Sequence, residues 1–328
     1  MGDEMNHTKV GGIALGVLVS GSLFVGCGSD AGTGDYPSKS VDLIIPNSPG
    51  GPNDTSARIV GECLSGELNE TVVPKNVEGA SQAIGTRELM TAEPDGYTIA
   101  ISPHTGLTLT PLLDDIGFNY EDVTPIASVF ETAMIFVTSK DSEFKTGEDF
   151  FDAAEENPGE IKVGTPGPTS PKQLVLDALR SEYEVDLKAV PLDGQAGQVA
   201  AMLGNNVDVV AVEATNDVRE QIDAGKFVPL AAIGADRVNW LPEVPTLPEL
   251  GFENAALPNN VYLAFGPKGL PDDIVETLEA GIKNCMASDK VIKPLGELFV
   301  PDPFLGADDT AAMLKDAAET YEAVVAAE

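Results

Sequence analysis

The stretch VTPIASVFETAMIFVTSK (123–140) decides the fold. Its apolar run predicts a strand over 125–138, overlong for one sheet, since strands are usually about 5–6 residues. A strand of that length is expected to leave one sheet and enter another. NNVYLAFGPKG (259–269), which follows the proline-rich LPEVPTLPELGF (241–252), is a second candidate crossing. Two crossings imply a middle domain inserted into a discontinuous outer one, with 36–130 plus 259–328 forming domain 1 and 131–258 forming domain 2. One large doubly wound sheet is the alternative.

Outward from that stretch, short apolar strands alternate with amphipathic helices. Strands are expected at 41–46, 71–75, 97–102, 161–164, 187–191, 207–212, 228–233 and 261–265. Helices are expected at 54–68, 81–90, 171–183, 195–203 and 217–224, with a helix-rich end over 271–327. Such alternation predicts an α/β fold of largely parallel sheets covered by helices.

The chain of 328 residues is 43% hydrophobic, enough for one large or two medium α/β domains. Its 19 Lys plus Arg face 53 Asp plus Glu, a formal charge of -34 that repels nucleic acid and anionic lipid. A solvated surface accounts for this acidity, as does adaptation to a saline habitat. Lys9, the uncharged apolar run 11–25 and the small residues after it follow the export pattern, which makes 1–26 a signal peptide. Phe24-Val25-Gly26-Cys27 resembles a bacterial lipoprotein signal, so Cys27 is expected to be lipidated and 27–35 to be a lipid-anchored linker. An ordinary cleaved signal with an incidental cysteine is the alternative. In an oxidising compartment Cys63 and Cys285, each on an apolar helix face, form either a disulfide or two separate buried thiols.

A recurrent feature carries the chemistry. Short strands run into loops of Gly, Pro, Ser, Thr or Asn from which a helix starts directly. LIIPNSPGGPNDTSARIV (43–60), IKVGTPGPTSPKQLVLDAL (161–179) and AVPLDGQAGQVAAML (189–203) are the clear cases. IAISPHTGLTLT (99–110) and VVAVEATNDVREQI (209–222) are weaker. The first turn of a helix leaves N–H groups unpaired and carries partial positive charge, which suits an anion. Each loop alone is an ordinary connector, and their joint occurrence is the signal. In open α/β sheets these loops gather at the carboxyl ends of the strands, where ligands bind.

Other chemistry is disfavoured. No loop has the Gly-Lys-Ser/Thr phosphate ending or the dinucleotide spacing. His7 and His104 are the only histidines, which excludes a histidine-rich metal site, and no hydrolase nucleophile elbow occurs. Neither a cofactor nor an enzymatic activity is expected. His104 reads equally as a ligand contact and as a capping residue.

Several segments occur in a telling order: YPSKSVDLIIPNSPGGPNDTSARIV (36–60), AEPDGYTIAIS (92–102), NPGEIKVGTPGPTSPKQL (157–174), VPLDGQAGQVAAMLGNNVDVVAVE (190–213), IDAGKFVPLAAIGADR (222–237) and YLAFGPKGLPDDIVETL (262–278). Together they resemble the solute receptors of tripartite tricarboxylate transporters, the Bug receptor family. The resemblance implies a type II periplasmic-binding-protein fold: two α/β domains, each a mixed sheet flanked by helices, with the ligand cleft between them. It implies a monomeric extracytoplasmic receptor that passes a small carboxylate to the transporter's membrane subunits. The carboxylate would be a di- or tricarboxylate, an aromatic acid or an acidic amino acid. A sensory co-receptor for a membrane histidine kinase is the alternative role.

Matching positions give the expected ligand contacts: Ser48, Gly50, Gly51 and Asn53 in the first loop, and Thr165, Thr169 and Ser170 in the second-domain loop. Ser102, His104 and Thr105, and Gly194 and Gln195, match further contact segments. Glu213 stands where relatives often carry Asp and is expected to meet a ligand amino or hydroxyl group. Pro52 replaces a small residue and removes an N–H donor, Lys172 replaces a common His, and LDGQAGQ (192–198) replaces a Tyr-Lys-Gly opening.

Overall fold

The computed structural model describes residues 36–327 apart from 193, 297, 298 and 302. The expected signal peptide, the lipidated Cys27 and the linker 27–35 lie outside the described residues.

Two five-stranded sheets carry the fold. The first runs β2-β1-β3-β10-β4, from β1 (Val41–Ile45), β2 (Val72–Asn76), β3 (Thr98–Pro103), β4 (Val123–Thr132) and β10 (Asn260–Pro267). The second runs β7-β6-β8-β5-β9, from β5 (Met134–Ser139), β6 (Lys162–Thr165), β7 (Lys188–Pro191), β8 (Val209–Glu213) and β9 (Phe227–Ala232). In the first, β10 is antiparallel to β3 and β4. In the second, β5 is antiparallel to β8 and β9. Each sheet is therefore mixed, and its reversed strand is the one that enters from the other sheet. The overlong strand expected over 125–138 divides at Ala133, with β4 pairing in one sheet and β5 in the other.

The helices are α1 (Pro52–Leu68), α2 (Ala83–Met90), α3 (Thr105–Thr108), α4 (Thr110–Leu113), α5 (Gly147–Glu156), α6 (Pro171–Tyr183), α7 (Gly194–Leu203), α8 (Asn216–Asp223), α9 (Asp272–Met286), α10 (Asp289–Leu295) and α11 (Ala307–Ala327). Their starts follow local chemistry. Pro52 and Pro171 sit at the first helical position, where a fixed φ helps and the missing N–H costs nothing. Ser170 caps α6 by accepting from the Gln173 N–H at 3.2 Å. Helix α5, which the apolar periodicity alone did not pick out, begins with a capping box of Thr146 and Asp149 and buries Phe150 and Phe151.

Each sheet has its own core. Leu43, Ile45, Ile99 and Ile101 pack with α1 and α9 around the first. Phe136, Phe144, Phe150 and Phe151 pack as an aromatic group beside the second. Gly281 brings α9 against α1: a Cβ there would lie 2.8 Å from Leu64 Cδ1. Cys63 of α1 and Cys285 of α9 are disulfide-bonded, with their Cα atoms 5.8 Å apart. Helix α11 belongs to neither sheet alone. Its Leu314 is buried in a cluster with Ile44 and Ala100, whereas its Ala317 and Tyr321 are buried with Leu174 and Phe136.

The disulfide closes a loop with a sequence separation of 222 residues, so it restricts the unfolded chain strongly. Replacing both cysteines by Ala is expected to lower unfolding free energy by about 2–5 kcal/mol. Chemical denaturation of the two proteins side by side measures this. Coincident unfolding midpoints would contradict it.

Candidate functional site

The carboxyl ends of the parallel strands and the helices that follow them enclose a cleft of about 540 Å³. From the first sheet's side it is lined by Asn47, Ser48, Gly51 and Asn53 at the start of α1, by Gly79, Ser81 and Gln82 before α2, and by Thr105. From the second it is lined by Thr169, Ser170 and Lys172 at the start of α6, by Gly194, Gln195 and Gln198 of α7, and by Glu213 at the end of β8. Asn260 and Tyr262 of β10 complete it. Four helices of eight residues or more thus begin at its walls. A larger hollow of about 680 Å³, lined by Glu131, Arg237, Trp240 and Phe299, takes no lining residue from the first turn of a described helix.

Glu213 organises the cleft. Its Oε1 accepts from Lys172 Nζ at 3.3 Å and from Asn260 Nδ2 at 3.0 Å, and its Oε2 accepts from Tyr262 OH at 2.6 Å. Lys172 and Glu213 are both buried. Burial raises the Tyr262 hydroxyl's pKa well above the ordinary value, and the facing carboxylate adds to this, so the phenol stays protonated as a donor. The Gln195 amide is engaged as a brace: its Oε1 accepts from the Glu213 N–H at 2.9 Å and its Nε2 donates to Thr215 Oγ1 at 2.8 Å.

Opposite, the start of α1 is fixed by Asp54. Its carboxylate accepts from the Gly50 N–H at 2.9 Å, from Arg58 Nε at 2.8 Å and from Asn76 Nδ2 at 2.9 Å. Burial pushes its pKa up, but these donors outweigh burial and leave it below the usual value. Asn53 Nδ2 donates to Asn47 Oδ1 at 2.7 Å and to the Ile101 carbonyl at 3.1 Å. The two walls touch where Ser81 Oγ meets Thr169 Oγ1 at 2.9 Å.

Among the described residues, five buried side-chain atoms have no hydrogen-bond partner: Asn53 Oδ1, Thr165 Oγ1, Gln198 Nε2, Asn260 Oδ1 and Tyr321 OH. Three of these belong to side chains lining the cleft. Unpaired buried polar atoms are rare because each costs about 1–3 kcal/mol, so three of them in side chains around one cleft set that region apart from the rest of the described interior.

A sequence model described as the tripartite tricarboxylate transporter family receptor matches residues 56–327. The chain belongs to that family. Protein BugT of Bordetella pertussis is 26% identical over 330 residues, covering 98% of each chain. Among solved structures, a periplasmic transporter is similar at 28% identity and a TM-score of 0.78, over 88% of this chain and 97% of that one. The periplasmic binding protein BugD follows at 27% identity and a TM-score of 0.77, over 89% of this chain and 98% of that one. The family is one of substrate-binding receptors, and the chain has the paired mixed sheets and flanking helices of periplasmic binding proteins.

Of the contacts expected from sequence, Ser48, Gly51, Asn53, Thr105, Thr169, Ser170, Gly194, Gln195 and Glu213 line the receptor's cleft. Gly50, Ser102, His104 and Thr165 do not. The Gly50 N–H is engaged by Asp54. Ser102 is buried on β3 and donates to Gln82 Oε1, bracing a cleft residue from behind. Thr165 is fully buried at the end of β6. His104 faces another cavity, stacked on Tyr321 with ring centroids 5.9 Å apart. Sequence reasoning did not single out Gln82, Gln198, Asn260 or Tyr262, and it noted Lys172 only as a departure from its relatives. Asn260 and Tyr262 lie in the NNVY segment read as a crossing, where alternation signals burial and gives no hint of a carboxylate partner.

His104 Nε2 lies 3.3 Å from the Asn259 carbonyl, which only accepts, so Nε2 carries the proton of the neutral ring. Burial lowers the His104 pKa to about 4, against a partial upward pull from that carbonyl. The unfolded histidine gains its proton below about pH 6.5, whereas the folded one resists until about pH 4. Stability supplied by the neutral ring is therefore complete above pH 6.5 and lost as pH falls to about 4. The stability gap between the native receptor and His104→Gln should shrink by roughly 3 kcal/mol over that window. Denaturant titrations at several pH values test this, and parallel stability curves would refute it.

Proposed function

We propose that this receptor captures a small carboxylate between its two sheets and delivers it to the membrane subunits of a tripartite tricarboxylate transporter. The observation that carries the reading is the convergence of four helix starts on one cleft whose walls hold unpaired buried polar atoms. Helix starts offer backbone N–H donors and partial positive charge, so the guest they favour is an anion. The family description supplies the transporter.

In this reading Ser48, Gly51 and Asn53 hold the ligand from one lobe, and Thr169, Ser170 and Gly194 from the other, while Thr105 closes the side. The lobes are 36–130 plus 259–328 and 131–258, and they close as a clamp about the crossings at Ala133 and Asn259. Lys172 is added to the expected set. Its ammonium has three donors, and among the described residues one meets Glu213, which leaves the others for a ligand carboxylate. The brace made by Gln195 and the two other donors on Glu213, Asn260 and Tyr262, keep that ammonium's partner in place. An exported protein held at the membrane by a lipidated Cys27 would present the cleft to solute outside the cytoplasm.

A thermal-shift screen over mono-, di-, tri- and aromatic carboxylates tests the reading, because a ligand bound only by the folded receptor raises its melting temperature. At least one carboxylate is expected to stabilise the receptor, and Lys172→Met is expected to weaken that ligand by about 10–100-fold, the worth of one charge-assisted hydrogen bond. Silence across the whole screen would overturn the proposal.

A further inference from the structure

The turn that leads into α2 has an unusual backbone. Gly79, Ala80, Ser81 and Gln82 have φ of 126°, 47°, 47° and 80°. Residues with a side chain seldom adopt positive φ, and three in succession persist only where their surroundings outweigh the cost. The Ala83 N–H donates to the Ala80 carbonyl at 2.9 Å and closes the turn. Thr86 ties Gln82 to α2, its N–H and Oγ1 donating to the Gln82 carbonyl at 3.1 and 3.0 Å. Gln82 holds the N-cap position of α2, yet its side chain makes no capping bond. Starting the helix is therefore not what that side chain serves.

Its carboxamide is seated from two directions. Ser102 Oγ, buried on β3, donates to Gln82 Oε1. Gly106 of α3 lies beneath, where an added Cβ would run into Oε1 and stand 2.9 Å from Cδ. Only a residue without a side chain leaves room for the carboxamide there. With Oε1 engaged, the Nε2 end is left, and it makes no hydrogen bond among the described residues. Nε2 is also not one of the five buried atoms that lack a partner, so it opens to accessible space. Gln82 lines the cleft, and the cleft is the space its amine reaches.

We infer that Gln82 is a specificity-determining residue of the cleft: its Nε2 donates to a carboxylate oxygen of the ligand, and Ser102 and Gly106 are the residues that position it. The inference rests on the carboxylate-receptor reading and deepens it. A carboxamide nitrogen brings two N–H donors and no charge, so it meets an acid without a cation having to leave water. The left-handed turn, the Ser102 hydroxyl and the Gly106 seat hold the amine in place before a ligand arrives, so the rotamer freedom ordinarily lost on binding is already gone. Gln82 stands on the first sheet's side of the cleft and Lys172 on the second's, so the two donors approach the guest from different walls.

Calorimetric titration of the full receptor tests this, the probe being whichever of acetate, succinate, citrate and benzoate gives the largest thermal shift. Gln82→Glu keeps the shape and an oxygen for Ser102 but replaces the amine by a second carboxylate oxygen, and it should weaken the probe about tenfold or more. Gly106→Ala, at a position that does not line the cleft, should push the carboxamide from its seat and weaken the probe about threefold or more. Added to Gln82→Gly, which has no carboxamide to displace and a residue suited to positive φ, the same Gly106→Ala should cause no further loss. A Gln82 that only shaped the loop would leave the two backgrounds alike. Unchanged affinity in Gln82→Glu or in Gly106→Ala, or equal losses from Gly106→Ala in the two backgrounds, would overturn the inference and leave the carboxylate reading intact. Unfolding midpoints show that each titrated variant is folded, and Gln82→Glu with Gly106→Ala carry the test should Gln82→Gly not fold. No binding of any of the four acids by the native receptor would remove the carboxylate reading itself, and the inference with it.

Discussion

A single buried carboxylate sets the geometry on which the cleft depends. Removing a carboxylate from water costs several kcal/mol unless donors replace its hydration. Glu213 obtains them from α6 through Lys172 and from β10 of the other sheet through Asn260 and Tyr262. Satisfying it requires the end of β8, the start of α6 and the start of β10 to meet at fixed distances, and those are three of the cleft's walls. Tyr262 is fixed in turn by the first sheet's core, where its ring lies edge-on to Phe130 at 5.1 Å. The hydroxyl that reaches Glu213 is thus anchored in one sheet's core while the carboxylate stands at the end of a strand of the other.

A chain with a formal charge of -34 is an unexpected host for the anion that the proposed function places in the cleft. The cleft resolves this by distance and type of donor. Exposed charges more than about 8–10 Å away are largely screened at physiological ionic strength. Helix starts and hydroxyls at the wall act at contact distance and need no countercharge. The only ammonium among the described lining residues is held against a carboxylate, so the wall is nearly neutral apart from Glu78.

The fold was legible where short-range rules apply. Alternation of period two and of period 3.6 located the strands and most helices; Ser170 before Pro171 located the start of α6, whereas α1 was expected from Asp54 and begins two residues earlier at Pro52. The long apolar stretch announced a crossing because no single sheet needs so long a strand, and the break falls at Ala133. The loops at Ser48 to Asn53 and Thr169 to Ser170 were legible for the same local reason. The Glu213 cluster was not. Its partners lie 41, 47 and 49 residues away in sequence, and no periodicity relates an acid on one strand to an amide and a phenol on another. The pairing of Cys63 with Cys285 remained open in the sequence because buried helix faces announce burial and not neighbours.

Helix α11 was assigned from sequence to one lobe, yet its packing joins both. Leu314, Ala317 and Tyr321 recur at helical spacing on one face, and that stripe passes from one core cluster to the other. Beside it, His104 follows β3, stacks on Tyr321 and reaches the Asn259 carbonyl at the second crossing. Helix α11 and the second crossing therefore meet at one buried ring. In the closure proposed for the receptor, displacement grows with distance from the axis, so bonds that persist through the motion must lie near it. The bonds from Asn260 and Tyr262 to Glu213 lie next to the Asn259 crossing and fit that requirement. The Ser81–Thr169 contact joins two exposed hydroxyl groups on loops that no crossing strand restrains, and it is the bond between the walls most free to break and re-form as solute enters.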